Sequence, residues 1–212
     1  IAVPIAQTIK VIEEVGPHCK TDSLLMDVTS TKIEPVLAMC AATNGTSVIG
    51  THPLFGPSVH SLQGQRIAVV CERDDHGWHD WLASILHSRG FTVIDTTAKE
   101  HDEAMSVVQV LTHQATEIVG RTIQKLDVDI HKMLEFTSPI YLIDMLMAAR
   151  HFAQSADLYA SIQMNNSETE RVLNTLRDAG EELREIVLDK DTQRFNKMFS
   201  EVHEHFGKFS EQ

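Results

Sequence analysis

The hydrophobic pattern of the chain changes character near its middle. Up to residue 97, short apolar runs alternate with amphipathic stretches. "LLMDV" (24–28), "SVIGT" (47–51), "RIAVVCE" (66–72) and "FTVIDTT" (91–97) are short, partly β-branched and bounded by Gly, Asp or Asn, which predicts strands. Between them, "PIAQTIKVIEEV" begins at Pro4 and places Ile5, Ile9 and Ile12 on one helix face. "KIEPVLAMCAA" follows Ser30, and "DDHGWHDWLASILHSRG" spaces Trp78, Trp81, Leu82, Ile85 and Leu86 for a helix that Gly90 ends. Alternation of this kind predicts an α/β layer with parallel strands.

Beyond Thr97 no convincing strand pattern remains. "AMSVVQVLTHQATEIVGRTIQKL" predicts a long helix, apolar nearly all round in its first half and therefore buried or packed on a partner. "PIYLIDMLMAARHFA" begins at Pro139, a favoured first-turn residue. "SETERVLNTLRDAGEELREIVL" opens with Ser167 and Glu170 at capping-box spacing and carries Val172, Leu173, Leu176, Leu183 and Ile186 as a stripe. "KDTQRFNKMFSEVHEHFGKF" closes the chain. The boundary falls at residues 96–99, giving domains 1–97 and 98–212. The fold class expected is a partial Rossmann-type α/β nucleotide-binding domain followed by an all-α domain. The first domain is partial because a doubly wound sheet opens with a strand, a glycine-rich turn and a helix. No GxGxxG occurs in the 212 residues, so that unit is expected to precede Ile1 or to be missing.

Composition narrows the function. The net charge is −12 and no Lys/Arg cluster appears, which argues against nucleic acid and against a polybasic membrane segment. No run approaches the roughly 18 apolar residues of a membrane span. The three cysteines, Cys19, Cys40 and Cys71, form no CxxC pair, a usage that fits a reducing cytoplasm and gives no reason to expect a bound metal.

Candidate chemistry gathers at predicted strand ends. His52 closes the second strand and is followed by Pro53, Gly56 and Pro57, which stiffen the next loop. A histidine there can take a proton from a substrate hydroxyl. The alternative is a strand-end histidine bonded to a loop carbonyl. Ser30, past the first strand, can cap the next helix or hold His52 or a substrate. Lys32 sits in that helix's first turn, where the dipole disfavours a cation, and this conflict hints at anion binding. Gln109 and His113 share one face of the long helix, as a satisfied buried pair or as ligand contacts. His101 reads as a solvated residue beside Asp102 and Glu103. Arg150 can pair with a carboxylate, a helix C-terminus or the carboxylate of a substrate.

"DVTSTK", "THPLFGP", "EHDEAMSVVQVLTHQAT", "TSPIYLIDMLMAARHFAQSADLYASIQMNN" and "FGKF", in this order, resemble prephenate dehydrogenases, especially the enteric type often fused to a chorismate mutase. The resemblance runs over essentially the whole chain. It implies oxidation of prephenate with NAD, NADP not being excluded, loss of CO2 and formation of 4-hydroxyphenylpyruvate on the route to tyrosine. It implies that His52 takes the ring-hydroxyl proton and that Ser30 orients His52. It makes Lys32, His113 and Arg150, with Gln109 beside them, substrate contacts, and Val3, Pro4 and Ile5 a loop lining the cofactor pocket. The helical half resembles the family's dimerisation domain, which implies a homodimer, and tyrosine is a candidate inhibitor. Leu142 departs from the arginine of "SPIYR" in enteric relatives. The alternative reading is a truncated, non-catalytic homologue that dimerises and binds prephenate or tyrosine.

Overall fold

The computed structural model describes residues 1–56 and 58–211; Pro57, expected to stiffen the loop after His52, lies outside the described residues. The chain divides into two units, Ile1–Thr169 and Glu170–Gln212. In the first, helix α1 (Ile5–Val15) precedes β1 (Leu24–Asp27), α2 (Ile33–Ala42), β2 (Ser47–Pro53), β3 (Arg66–Arg73), α3 (Trp78–Ser88) and β4 (Thr92–Asp95). The strands form one sheet in the order β1-β2-β3-β4. β1 and β2 are parallel, as are β3 and β4, whereas β2 and β3 run antiparallel. The all-parallel layer expected from the sequence is thereby corrected to a mixed sheet. A parallel pair needs a crossover, usually a helix. α2 and α3 supply two such crossovers, but the described residues of 54–65 contain no helix, so the chain turns back on itself there.

Alternation along the strands builds two apolar layers. Leu25, Val48 and Val70 pack with Ile12 of α1 and with Val36 and Met39 of α2. Their neighbours Ile49 and Val69 point the other way and pack with Leu82 of α3. This period of two is what a sheet covered on both faces requires.

Helix α4 (Ala98–Met105), a π-helical stretch Ser106–Leu111 and α5 (Thr112–Lys125) follow one another directly. The helical run therefore starts earlier than the apolar pattern predicts. Its start is set by a capping box: Glu100 N donates to Thr97 Oγ1 (3.2 Å) and Thr97 N to Glu100 Oε2 (3.1 Å). α6 (Ile130–Leu134), α7 (Pro139–Phe152) and α8 (Ala156–Met164) complete this unit's helices among the described residues. Ser138 and Ser155 cap α7 and α8. In the second unit, α9 (Thr169–Leu188) and α10 (Thr192–Phe206) are amphipathic, and Asp191 caps α10. α9 begins past Ser167. At its start Asn166 Oδ1 accepts from Glu168 N, in place of the expected Ser167 cap. Among the described residues no helix is long and apolar enough to cross a membrane.

One buried ion pair fixes the ends of β1 and β2. Lys32 is fully buried, and its ammonium donates to Asp27 Oδ2, to Thr51 O (2.8 Å) and to Thr29 Oγ1 (3.2 Å). Gly50 makes room for the lysine stem: a Cβ there would lie 2.7 Å from Val36 Cγ2 and 3.0 Å from Lys32 Cδ. Burial pushes the Lys32 ammonium below its ordinary pKa, and the adjacent Asp27 charge opposes that shift. Removing one partner of such a pair strands the other charge. Lys32→Met is expected to lower the unfolding free energy in urea by about 3–5 kcal/mol, with Lys32→Met/Asp27→Leu losing clearly less.

Candidate active site

β1 and β2 end side by side, and the residues that could do chemistry collect at this edge. His52, the penultimate residue of β2, pairs with Ala68 of β3 and is only 3% exposed. Its Nδ1 shares a hydrogen bond of 3.0 Å with His101 Nε2, the rings meeting edge-on at 5.1 Å. His101 Nδ1 lies 2.7 Å from Asp102 Oδ1. Asp102 in turn accepts the first backbone N–H groups of α2, Lys32 N at Oδ1 (2.8 Å) and Ile33 N at Oδ2 (3.0 Å). Its own carbonyl accepts from Asn166 Nδ2 (2.9 Å). A chain of three side chains therefore runs from β2 through α4 to the N-terminus of α2. Burial, then the neighbouring His101 and Lys32, pull the His52 pKa down to about 3, with Asp102 opposing. His52 is a neutral imidazole at neutral pH.

A second polar cluster lies further along the same helical run. His113 of α5 meets the ring of Tyr159 edge-on at 4.7 Å and tilts against His151 at 5.4 Å. His151 Nε2 is 3.0 Å from Glu117 Oε1, which also accepts from Gln163 Nε2 (2.8 Å). Burial, then the neighbouring His151, push the His113 pKa below its ordinary value. Gln109 belongs to the π-helical stretch. Its Oε1 and His113 Nδ1 are buried without a hydrogen-bond partner among the described residues, a costly state that a bound polar group would relieve.

The predicted residues fall into distinct places. Ser30 lies next to the buried Thr29 and Thr31 but does not cap α2; that helix starts later, and Asp102 receives its end groups from across the fold. Lys32 occupies the helix cap position with its ammonium taken up by Asp27, so the dipole conflict is resolved inside the protein. Val3, Pro4 and Ile5 lead into α1 beside the end of β1, where Val28 N donates to Ile1 O (3.2 Å). Arg150 is exposed in the last turn of α7 and has no ion pair among the described residues, so its expected salt bridge is not formed. Leu142 is exposed on the same helix. Among the described residues no hydrogen bond, ion pair or ring contact joins the His52 and His113 clusters.

His101 overturns its sequence reading. It is buried and bonded at both ring nitrogens, because the helix cap at Thr97 turns it and Asp102 toward the sheet. The sequence alone gives no sign of the parts taken by Asp27, Thr51, Glu117, His151 and Tyr159. For His101 the Thr97–Glu100 spacing is the signal it offers. Among the described residues, no three His, Cys, Asp or Glu side chains converge as metal ligands.

Comparison with known proteins places the chain in a family. Residues 1–95 match the family model for the prephenate dehydrogenase nucleotide-binding domain, and residues 97–201 match that for its dimerization domain. A probable arogenate/prephenate dehydrogenase of Methanocaldococcus jannaschii is 39% identical over 98% of this chain and 47% of its own length. The T-protein of Haemophilus influenzae is 35% identical over 100% of this chain and 56% of its own. The chain thus spans about half the length of these curated relatives. A crystal structure of Aquifex aeolicus prephenate dehydrogenase, in complex with hydroxyphenyl propionate and NAD+, superposes with a TM-score of 0.75 at 16% identity, over 95% of this chain and 72% of that one. Synechocystis arogenate dehydrogenase gives 0.72 at 17% identity, over 98% and 77%. At such identities these structures speak for the fold. With both domain models matched in order along nearly its whole length, the chain belongs to the prephenate dehydrogenase family.

Proposed function

We propose that this chain carries the catalytic centre for oxidative decarboxylation of prephenate to 4-hydroxyphenylpyruvate, with NAD as oxidant. The observation that carries the reading is the neutral, buried His52 at the end of β2. The ring hydroxyl of the substrate donates to His52, which takes its proton as hydride leaves the same carbon. The bond to the ring carboxyl then breaks, CO2 departs, and the electron pair enters the ring. The oxygen recovers the proton from His52 as the ring becomes aromatic. Ser30 holds the hydroxyl against His52. Arg150, with a free guanidinium among the described residues, binds a carboxylate. Gln109 and His113 offer their unpartnered atoms to the remaining polar groups of the substrate. Lys32 acts as a support for the site, because its ammonium is spent on Asp27.

The segment Val3–Ile5, seated beside the end of β1, fits the nicotinamide end of NAD. No glycine-rich turn stands before α1 in these residues to cradle the pyrophosphate. When bound, NAD supplies the hydride acceptor.

The functional division lies at 97/98, with 1–97 holding cofactor and base and the helical half contributing Gln109, His113 and Arg150 to the substrate pocket. The compact units divide elsewhere because α4 packs on α2 and α8 on α1. A second copy of the chain covers the apolar helical surface. Phe136 (78%), Ile140 (74%) and Ile143 (61%) are exposed in the first unit, and Val187, Phe199 and Phe209 in the second. The free cysteines fit a cytoplasmic setting. Tyrosine, with the same ring oxygen and a carboxylate, competes for the site.

Prephenate-dependent formation of reduced NAD by this chain tests the reading. Its absence in a folded, prephenate-binding sample favours the non-catalytic alternative. His52→Asn is expected to lower kcat by roughly a hundredfold or more while prephenate binding stays near normal. Arg150→Ala is expected to raise KM for prephenate at least about tenfold, equivalent to about 1.4 kcal/mol. His52 also makes stability depend on pH. Its folded pKa of about 3 lies below the ordinary 6.5, so the unfolded chain binds the proton first as pH falls. The stabilising effect of a neutral His52 is complete above pH 6.5 and drains away toward pH 3, at up to about 1.4 kcal/mol per unit. Urea unfolding between pH 7 and about pH 4 is expected to show a shallower loss in His52→Asn than in the unmodified chain.

A further inference from the structure

We infer that His101, backed by Asp102, is a positioning residue that holds His52 in the tautomer protonated at Nδ1 and bare at Nε2. The inference rests on the proposed role of His52 as proton acceptor and adds which nitrogen accepts, and why.

The assignment follows from counting protons along the chain of contacts. Asp102 receives two backbone N–H groups of α2, at 2.8 and 3.0 Å, and an ionised carboxylate only accepts. The 2.7 Å contact with His101 Nδ1 must then use a proton on that nitrogen. A neutral imidazole has one N–H, so His101 Nε2 is an acceptor. The 3.0 Å contact between His101 Nε2 and His52 Nδ1 therefore requires the proton on His52 Nδ1. His52 Nε2 is left with its lone pair and makes no hydrogen bond to a described residue.

The alternative places a second proton on His101, which would then donate to His52 Nδ1 and force the His52 proton onto Nε2. That arrangement puts an extra cation where His101 is 3% and Asp102 2% exposed, close to the buried Lys32 ammonium. It would also leave His52 without a basic nitrogen toward the substrate. The charged and titratable groups facing His52 are His101 and Asp102 from α4 and Lys32 from the start of α2, with Asp27 of β1 behind Lys32. The β3 residues opposite, Ile67 to Val70, are apolar. Once Nε2 takes a proton, the Nδ1–H already points at His101, and Asp102 stands behind it. Positive charge on His52 is then met by an existing hydrogen-bond chain, with no rearrangement.

Two substitutions separate positioning from mere support. In His101→Asn the amide reaches Asp102 from the place of Nδ1, but nothing reaches His52. In His101→Gln an amide oxygen stands in for Nε2 and still accepts from His52. Two-bond 1H–15N correlation spectra of the labelled chain at pH 7 read the tautomer of each histidine directly. The unmodified chain and His101→Gln are expected to show His52 protonated at Nδ1. His101→Asn is expected to shift it toward the Nε2 form favoured by free imidazole. His52 protonated at Nε2 in the unmodified chain would overturn the inference, as would a tautomer unmoved by His101→Asn. In turnover, His101→Asn is expected to lower kcat at least about tenfold with KM for prephenate within about threefold, and His101→Gln to recover most of the loss. An unchanged kcat in His101→Asn would also overturn it. If the unmodified chain does not oxidise prephenate at all, the proposed reaction fails, and the spectra still decide the tautomer.

Discussion

The ammonium of Lys32 is fully buried, and much of the site is arranged to meet that constraint. An isolated buried cation costs several kcal/mol, so it must find a counter-charge and its remaining hydrogen bonds within the fold. It finds Asp27 at the end of β1, Thr51 O in β2 and Thr29 Oγ1 in the loop between β1 and α2. The backbone N–H of the same residue donates to Asp102 of α4. One residue thus ties β1, β2, α2 and α4 at a single point. Gly50 serves this knot by leaving the space through which the lysine stem passes. His52, two residues beyond Gly50 on the same strand, inherits a rigid position from it.

Much of this was legible in the sequence. The strands stand where short apolar runs were bounded by Gly, Asp and Asn, with ends that differ by only a few residues. Lys32 stands out in the sequence by its conflict with the helix dipole, but the partner that takes up its ammonium is Asp27, which no local pattern connects to it. The antiparallel β2–β3 pair could have been read from the missing helix between them. His101 could not be read by character alone. Beside Asp102 and Glu103 it looks like a surface residue, and only the packing of α4 against α2 takes it inside. The acidic neighbour that suggested solvent is the one that holds its ring.

The helical half poses a different problem of legibility. Many of its apolar residues are exposed, on α5 and α7 and in the second unit among other places. A sequence reading sees only that a helix is apolar nearly all round; the structure separates Val110, fully buried, from Val107 and Val108, which are half exposed in the same stretch. That stretch is π-helical. A π turn changes the angular step between residues, so spacing rules drawn for α-helices mislead across it, and such turns are frequent at functional sites. Gln109 lies inside it and His113 just after it. Both carry buried polar atoms without partners among the described residues, at the place where the helical period is broken.

Charge completes the account of why the site is built as it is. The chain carries a net charge of −12, yet the reaction proposed for it begins with a dianion. Long-range attraction is therefore unavailable, and the proposal gives the task of holding the dianion to local cations such as the exposed Arg150. The same local fields act on His52. Burial and the nearby Lys32 ammonium keep it neutral and weakly basic. In the proposed complex, a dianion beside His52 brings negative charge to the imidazole and raises its proton affinity. The base then becomes strong enough to accept a proton mainly when there is a substrate to give one. A buried proton acceptor that is weakly basic until charged substrate arrives suits the proposed reaction, in which proton and hydride leave the same carbinol together.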